Sequence, residues 1–196
     1  TRTLDANNRI VAATNALGQT ETWDFDAIGQ VEAYTDTAGH VTAFEYDENS
    51  NLTLVRNARG AETEYAYNSL ELVTSVTDAL GQVVSFGYDL RENLVRIDDA
   101  RGGVTLMEHD AVGRLLQTID PLGGIESWSY DHHGNVNSYT DPRGNTTTME
   151  YDSQHRRIRE TDAAGFEEGF AAGNAAGGEL VDVVDQNDSV VDDDAD

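Results

Sequence analysis

The stretch "YDENSNLTLVRNARG", residues 46–60, decides the fold. It opens on Tyr46-Asp47, passes a polar turn, crosses the aliphatic run Leu52-Thr53-Leu54-Val55 and closes on Arg59-Gly60. Taken alone, a Tyr-Asp pair followed by two arginines has the composition of a binding site. Its recurrence gives it another meaning. Glycine recurs as Gly18, Gly39, Gly60, Gly81, Gly102, Gly123, Gly144 and Gly165, always 21 residues apart, and self-similarity at such a period marks a repeat architecture.

Counting from these glycines exposes the unit. Five residues on stand Trp23, Phe44, Tyr65, Phe86, Met107, Trp128, Met149 and Phe170. Seven on stand Phe25, Tyr46, Tyr67, Tyr88, His109, Tyr130 and Tyr151, each followed by Asp26, Asp47, Asn68, Asp89, Asp110, Asp131 and Asp152 in turn. Thirteen on stand Val31, Leu52, Val73, Leu94, Leu115, Val136 and then Arg157. Three before the next glycine stand Asp36, Asn57, Asp78, Asp99, Asp120, Asp141 and Asp162. The structural repeat motif is thus the periodic glycine, the aromatic of offset seven and the Asp beside it.

Large side chains at offsets five and seven share one face of a strand, because strand side chains alternate with period two. Between them lie Glu45, Ala66, Gly87 and Ser129, small or polar, for the other face. The run typified by Leu52–Val55 is too short for a helix and rich in aliphatic and β-branched types, which suits a second strand. The two turns of each unit are Asp-x-x-Gly, as in "DALG" and "DPRG", and the turn after Tyr-Asp, as in "DAIGQ" and "DHHGN". Asp caps nearby amides, Pro presets φ at the second turn position, and Gly takes the backbone conformation that costs other residues most. Both prolines, Pro121 and Pro142, hold that second position.

Each unit is therefore two short strands and two tight turns, and the expected fold is all-β, a curved antiparallel repeat sheet. With strands about 4.8 Å apart, one unit advances the sheet by roughly 10 Å, and an open sheet of about 14 strands is expected to twist and curl. Both ends of such a strip expose unpaired strand edges, which call for further repeats, a cap or a second copy of the chain. Residues 1–165 form the array; 166–196 read as an Ala/Gly-rich linker followed by an acidic tail or edge cap.

The bulk composition narrows the function. The 196 residues hold 37 Asp and Glu against 12 basic residues, all Arg, for a net charge of −25. Such a surface has no basic patch to displace counterions from phosphates, which argues against nucleic-acid and anionic-membrane binding. No cysteine is present, so there is no disulfide frame, thiolate nucleophile or Cys metal site. No apolar run approaches the length of a membrane span. The opening Thr-Arg-Thr has neither an initiator Met nor a signal peptide, and is read as the start of a processed piece or fragment.

The pattern resembles the YD repeat of the Rhs family, which includes bacterial polymorphic toxins, Tc insecticidal toxin complexes, wall-associated proteins and teneurins. The matches "YDENSNLTLVRNARG", "HDAVGRLLQTIDPLG", "YDHHGNVNSYTDPRG" and "YDSQHRRIRETDAAG" carry the resemblance, which runs from residue 1 to about 165. It implies a β-sheet that spirals into a hollow shell around a toxin domain, or an extended scaffold, in a secreted or cell-surface protein without enzymatic activity. Carbohydrate binding is also associated with such repeats. Rhs toxins end their shell in a self-cleaving segment with Asp-Pro-x-Gly motifs. Here "DPLG" and "DPRG" sit on the regular register, and turn position explains them. Eight units are too few to close a shell, so enclosure needs more repeats or partner chains.

Candidate chemistry is sparse. The aspartates recur in every unit, as structural caps do and catalytic pairs do not. His132-His133 lies in a turn, where adjacent side chains point apart into solvent; a metal would need further ligands from neighbouring turns, such as Asp131 and Asp152. His109 takes the place of Tyr and is expected to be hydrogen-bonded to a neighbour. Trp23, Tyr34, Trp128 and Tyr139 are the candidate ligand-contact aromatics, because the two tyrosines occupy a place that holds Val or Ile in the best-formed repeats; a surface glycan is the ligand such rings suggest, and packing within the frame is the competing role. In the tail, Asp185, Asn187, Asp188 and Asp192 offer oxygens for Ca²⁺ without EF-hand spacing, so a solvated tail is the expectation there.

Overall fold

The computed structural model describes residues 1–170 and, for their backbone, 180–181. The Ala/Gly-rich segment 171–178 and the oxygen-bearing Asp185, Asn187, Asp188 and Asp192 lie outside the described residues. Among those described, every regular element is a strand, and no helix is long and apolar enough to cross a membrane.

The strands follow the repeat. They are β1 (Arg2–Leu4), β2 (Ile10–Thr14), β3 (Thr20–Phe25), β4 (Val31–Thr35), β5 (Val41–Tyr46), β6 (Leu52–Arg56), β7 (Glu62–Tyr67), β8 (Val73–Thr77) and β9 (Val83–Tyr88). They continue as β10 (Leu94–Asp98), β11 (Val104–His109), β12 (Leu115–Ile119), β13 (Ile125–Tyr130), β14 (Val136–Thr140), β15 (Thr146–Tyr151), β16 (Arg157–Thr161) and β17 (Glu167–Phe170), with a two-residue β18 (Leu180–Val181). The strand pattern thus runs on through Phe170, past Gly165, the last of the periodic glycines and the expected end of the array.

The chain divides into two units, Thr1–Leu106 and Met107–Asp196. In the first, β1 to β10 pair antiparallel in chain order, and Arg96, Ile97 and Asp98 face Leu106, Thr105 and Val104 of β11. In the second, β12 to β17 pair the same way, and Gly169 and Phe170 pair with Val181 and Leu180. Each is an antiparallel meander, as expected of consecutive strands joined by tight turns.

A device the periodicity does not reveal recurs in the hairpins closed by the Tyr-Asp turn. The ladder shifts register between Asp24 and Phe25, between Glu45 and Tyr46, between Ala66 and Tyr67, between Ser129 and Tyr130, and between Glu150 and Tyr151. Such a bulge sets two residues of one strand against one of its partner. Consequently Tyr46 faces Leu52 while Phe44 faces Val55, and residues three apart in the second strand share the aromatic face. Leu54, opposite Glu45, goes to the other side. The aliphatic run shows no period of two because the bulge breaks it.

Both kinds of turn are built alike. In 26–30 the Asp26 amide donates to the Gln30 carbonyl and Gly29 N–H to the Asp26 carbonyl, at 2.9 and 3.2 Å; in 36–40 Asp36, His40 and Gly39 repeat this at 3.0 and 3.0 Å. This is the geometry of a type I turn followed by a residue in the left-handed region. At the Asp-x-x-Gly turns that residue is the periodic glycine: Gly18, Gly39, Gly60, Gly81, Gly102, Gly123, Gly144 and Gly165 all have φ from 75° to 86°. They end the turn and do not enter a strand. At the Tyr-Asp turns the same place is held by Asn8, Ser50, Glu71, Glu92 or His155 in five cases, with φ from 61° to 71°. That is why glycine is periodic at one corner of the unit and irregular at the other. No described residue, apolar or polar, is buried. Each unit is a single-layer sheet, and neighbouring side chains on its faces supply what a core supplies elsewhere.

Gly39 has φ +84 and nothing within 4 Å of an added Cβ. Gly39→Ala is therefore expected to destabilise by about 1 kcal/mol net, through backbone strain alone. Glu92→Gly, at φ 68, relieves the same strain. Urea unfolding should show the midpoint lowered in the first variant and raised in the second; shifts of the same sign would contradict this account of the turns.

Candidate functional site

The conspicuous tyrosines are used by the frame. Tyr46 Oη donates to the Val31 carbonyl at 3.0 Å, Tyr67 to Leu52 at 2.8 Å, Tyr88 to Val73 at 2.8 Å and Tyr130 to Leu115 at 2.7 Å. Each acceptor opens the second strand of the preceding repeat, so the phenol ties one unit to the next. A Phe would pack as well but leave that carbonyl without this donor. Burial pushes the Tyr46 and Tyr67 phenols above their ordinary value. Tyr151 departs from the pattern, its hydroxyl lying 3.9 Å from Met149 Sδ. Phe25, lacking a hydroxyl, carries the Arg9 guanidinium 4.3 Å over its ring instead.

The aspartates are also engaged. At every turn the side-chain oxygen of the first residue accepts backbone amides. Asp47 Oδ1 takes Asn49 and Asn51 N–H at 2.9 and 2.8 Å, and Asn57 Oδ1 takes Arg59 and Ala61 at 2.9 and 3.1 Å. The Asn51 side-chain amide, then its backbone N–H, holds the Asp47 carboxyl below the usual range; the Arg156 backbone N–H, then its guanidinium, does the same for Asp152. Carboxylates fixed this way cap backbone and are not poised to move protons.

Two places break from the frame in the same way. Trp23 faces Tyr34 across β3 and β4, with ring centroids 5.5 Å apart at 41°, and Tyr34 Oη donates to Glu21 Oε2 at 3.1 Å. Trp128 faces Tyr139 across β13 and β14, at 5.5 Å and 40°, and Tyr139 Oη donates to Glu126 Oε1 at 2.8 Å. The four candidate aromatics are thus brought together in pairs, each with a glutamate that its sequence position did not single out. The clue available was Glu at 21 and 126 where Thr42, Thr63, Val84, Thr105 and Thr147 stand in other units, with Glu168 the one further acid at that place. Burial first, then the Glu21 carboxylate, raises the Tyr34 phenol; for Tyr139 the hydrogen bond to Glu126 leads. In the first unit Glu21, Trp23, Val31, Tyr34, Phe44 and Tyr46 line an open cleft of about 460 Å³.

The remaining departures behave differently from expectation. His109 Nδ1 is shut off from solvent with no hydrogen-bond partner, so the expected bond to a neighbour is absent on that nitrogen. His132 and His133 do not point apart: their ring centroids lie 3.7 Å from each other, and His155 of the next Tyr-Asp turn meets His133 edge-on at 5.0 Å. Among the described residues no group of three His, Asp or Glu is placed to hold a metal. Arg157 pairs with Glu160 and lies 4.6 Å over the Phe170 ring.

The chain resembles known proteins through this frame. The RHS Repeat family matches residues 5–41, 25–62, 67–105, 109–146 and 130–167. No curated protein matches. Among solved structures, the crystal structure of TcdB2-TccC3-Cdc42 superposes with a TM-score of 0.72 at 14% identity, over 88% of this chain and 12% of that one. TcdB2-TccC3 without its hypervariable C-terminal region gives 0.70 at 13% identity, over 88% and 12%, and TcdB2-TccC3 gives 0.68 at 13%, over 86% and 12%. At such identities the likeness is one of fold, and the chain spans 12% of the length of each of those structures.

Two substitutions test the frame. Tyr67→Phe removes the donor to Leu52 and is expected to cost about 0.5–1.5 kcal/mol, read as a lowered unfolding midpoint; an unchanged midpoint would refute the tie. Asp47→Asn keeps a capping oxygen, as Asn57 shows, but no longer titrates. A carboxyl whose pKa is depressed on folding adds stability above its unfolded value near 3.8 and loses it as pH falls through the lower folded value. The gap in melting temperature between wild type and Asp47→Asn should therefore narrow as pH is taken from about 6 to below 3. A constant gap would count against the charged cap.

Proposed function

Because the chain belongs to the RHS repeat family, we propose that it is a stretch of wall in a larger β-shell of a secreted toxin or cell-surface protein, where it encloses rather than catalyses. The observation that carries this reading is exposure: no described residue is buried, yet one face of the sheet bears a row of large rings. A single-layer sheet hides such a row only when more wall, or what the wall surrounds, lies against it. The fold shared with TcdB2-TccC3 over 88% of the chain supports the same reading.

Its partners are then further YD repeats or copies of itself, joined through strand edges. β1 pairs with β2 on one side, and an edge strand of this kind is a template for another chain. A toxin domain held inside, and an extracellular setting, are part of this proposal, and membership of the RHS repeat family supports them. The turn aspartates, each engaged with backbone amides, serve the frame as caps, which supports a structural role. A glycan-binding adhesion module is the alternative. It needs a flat ring face open to a pyranose, whereas Trp23 and Trp128 meet their tyrosines at 41° and 40°.

Sedimentation velocity over a concentration series, with a dye that fluoresces on apolar surfaces, tests the wall reading. The chain should bind the dye and associate with rising concentration, and Arg2→Pro in β1, at a position whose N–H faces away from β2, should weaken that association. A monomer at every concentration that ignores the dye would overturn it. For enclosure, the full reading frame that carries this chain should shield a domain from protease until denaturant opens the wall; cleavage at the same rate before and after would count against it.

A further inference from the structure

The cleft of Glu21, Trp23, Tyr34, Phe44 and Tyr46 is left over when the frame is accounted for. We propose that it binds a compact organic cation, a quaternary or alkylated ammonium group, and that this activity is separate from the wall role.

The frame does not need this cleft. Other units carry Thr42 or Thr63 in the place of Glu21, and Val55 or Val76 in the place of Tyr34, and they form the same strands. Where Thr42, Thr63, Val84 and Thr105 stand in the next four units, this one sets a half-buried carboxylate beside four rings, an arrangement that a group of opposite charge complements. Across the ladder Glu21 faces Ala13, which offers no side-chain donor, and Tyr34 reaches it at 3.1 Å. The carboxylate therefore keeps acceptor capacity directed along the aromatic face.

The rings are shaped for a cation. Trp23 and Tyr34 stand tilted at 41°, walls of a corner rather than a platform, and Phe44 and Tyr46 add further ring surface to the same cleft. Ring faces present their negative quadrupole to a cation within about 6 Å, most strongly from Trp. A net charge of −25 raises the local concentration of any cation around the chain. The same features disfavour anions, and the tilt denies a pyranose the flat face it stacks on.

The echo in the second unit supplies an internal comparison. There Met149 replaces Phe44, the Tyr151 hydroxyl turns toward Met149 Sδ, and Thr118 Oγ1 donates to Glu126 at 3.3 Å in addition to Tyr139. Fewer ring faces and a better satisfied carboxylate make it the weaker site. Arg2 shares the row of Ala13 and Glu21 and lines the neighbouring hollow with Glu21, so it is a competitor for the carboxylate.

The test is a fluorescence titration of the full chain in a Trp128→Phe background, where Trp23 is the one tryptophan. The probes are tetramethylammonium, choline and Nε-trimethyl-lysine, with sodium chloride at matched ionic strength and cellobiose as controls. A saturable change is expected with the ammonium probes, weakened about tenfold or more by Glu21→Thr and by Tyr34→Val, and tightened by Arg2→Ala. Both site variants carry residues that other units already use, and circular dichroism should show their strands intact. The stronger of choline and trimethyl-lysine identifies the source of the cation, a head group or a modified side chain. No saturable change with any ammonium probe, a response that sodium chloride reproduces, saturation by cellobiose instead, or binding unaltered in Glu21→Thr would each overturn the proposal.

Discussion

The structure depends on one oxygen per turn. At each corner of the meander an Asp or Asn side chain accepts the amides two and four residues on, as Asp26 does from Ile28 and Gln30 at 3.0 and 2.8 Å. In a protein with an interior, a poor turn is held in place by what packs over it. Here nothing packs over it, since no described residue is buried. The turn must therefore be stable on its own chemistry, and it sets the register that every strand pair inherits. Asp and Asn are interchangeable at these corners because the capping atom is an oxygen in both.

With turns and ladders supplying the frame, the two faces are left to differ. One collects Phe25, Tyr46, Tyr67 and their equivalents, and the Tyr hydroxyls convert that row from a set of contacts into a chain of ties between units. The other carries short and charged side chains, where Arg56 meets Glu62 at 2.6 Å and Arg159 meets Glu150 at 3.5 Å. Such exposed pairs contribute between about 0 and 1 kcal/mol each, so the asymmetry is a matter of what each face can adhere to more than of what it stabilises. The rings attract apolar or cationic matter; the polar face stays wet.

Much of this was legible in the sequence. The 21-residue spacing from Gly18 to Gly165, the Asp at each corner and the alternation of rings with small residues define two strands and two turns per unit, and the structure has them. What was not legible depends on partners distant in sequence. The bulge at Phe25 and Tyr46 involves which residue faces which across the ladder, and neither strand announces it alone. The bond from Tyr46 to Val31 spans 15 residues and distinguishes Tyr from Phe only once the carbonyl is in place. Glu21 lay hidden as one more acid among 37, and only its position beside Trp23 and Tyr34 sets it apart. The contact of the His132 and His133 rings, tilted at 44°, and the unpartnered His109 nitrogen likewise follow from packing that neighbouring letters do not encode.

The bulge makes the length of this chain come in fixed steps. Because the paired residues change face by parity, an odd-length insertion inside a strand would turn the downstream rings of that strand to the wet side and an even one would shift their pairing, whereas a whole 21-residue block leaves both unchanged. Glu21, Trp23 and Tyr34 recur as Glu126, Trp128 and Tyr139, 105 residues later, which is five blocks. Growth of such a chain by duplication is thus geometrically neutral only in whole blocks, and a specialised cluster can be copied intact to a new place without disturbing the strands between.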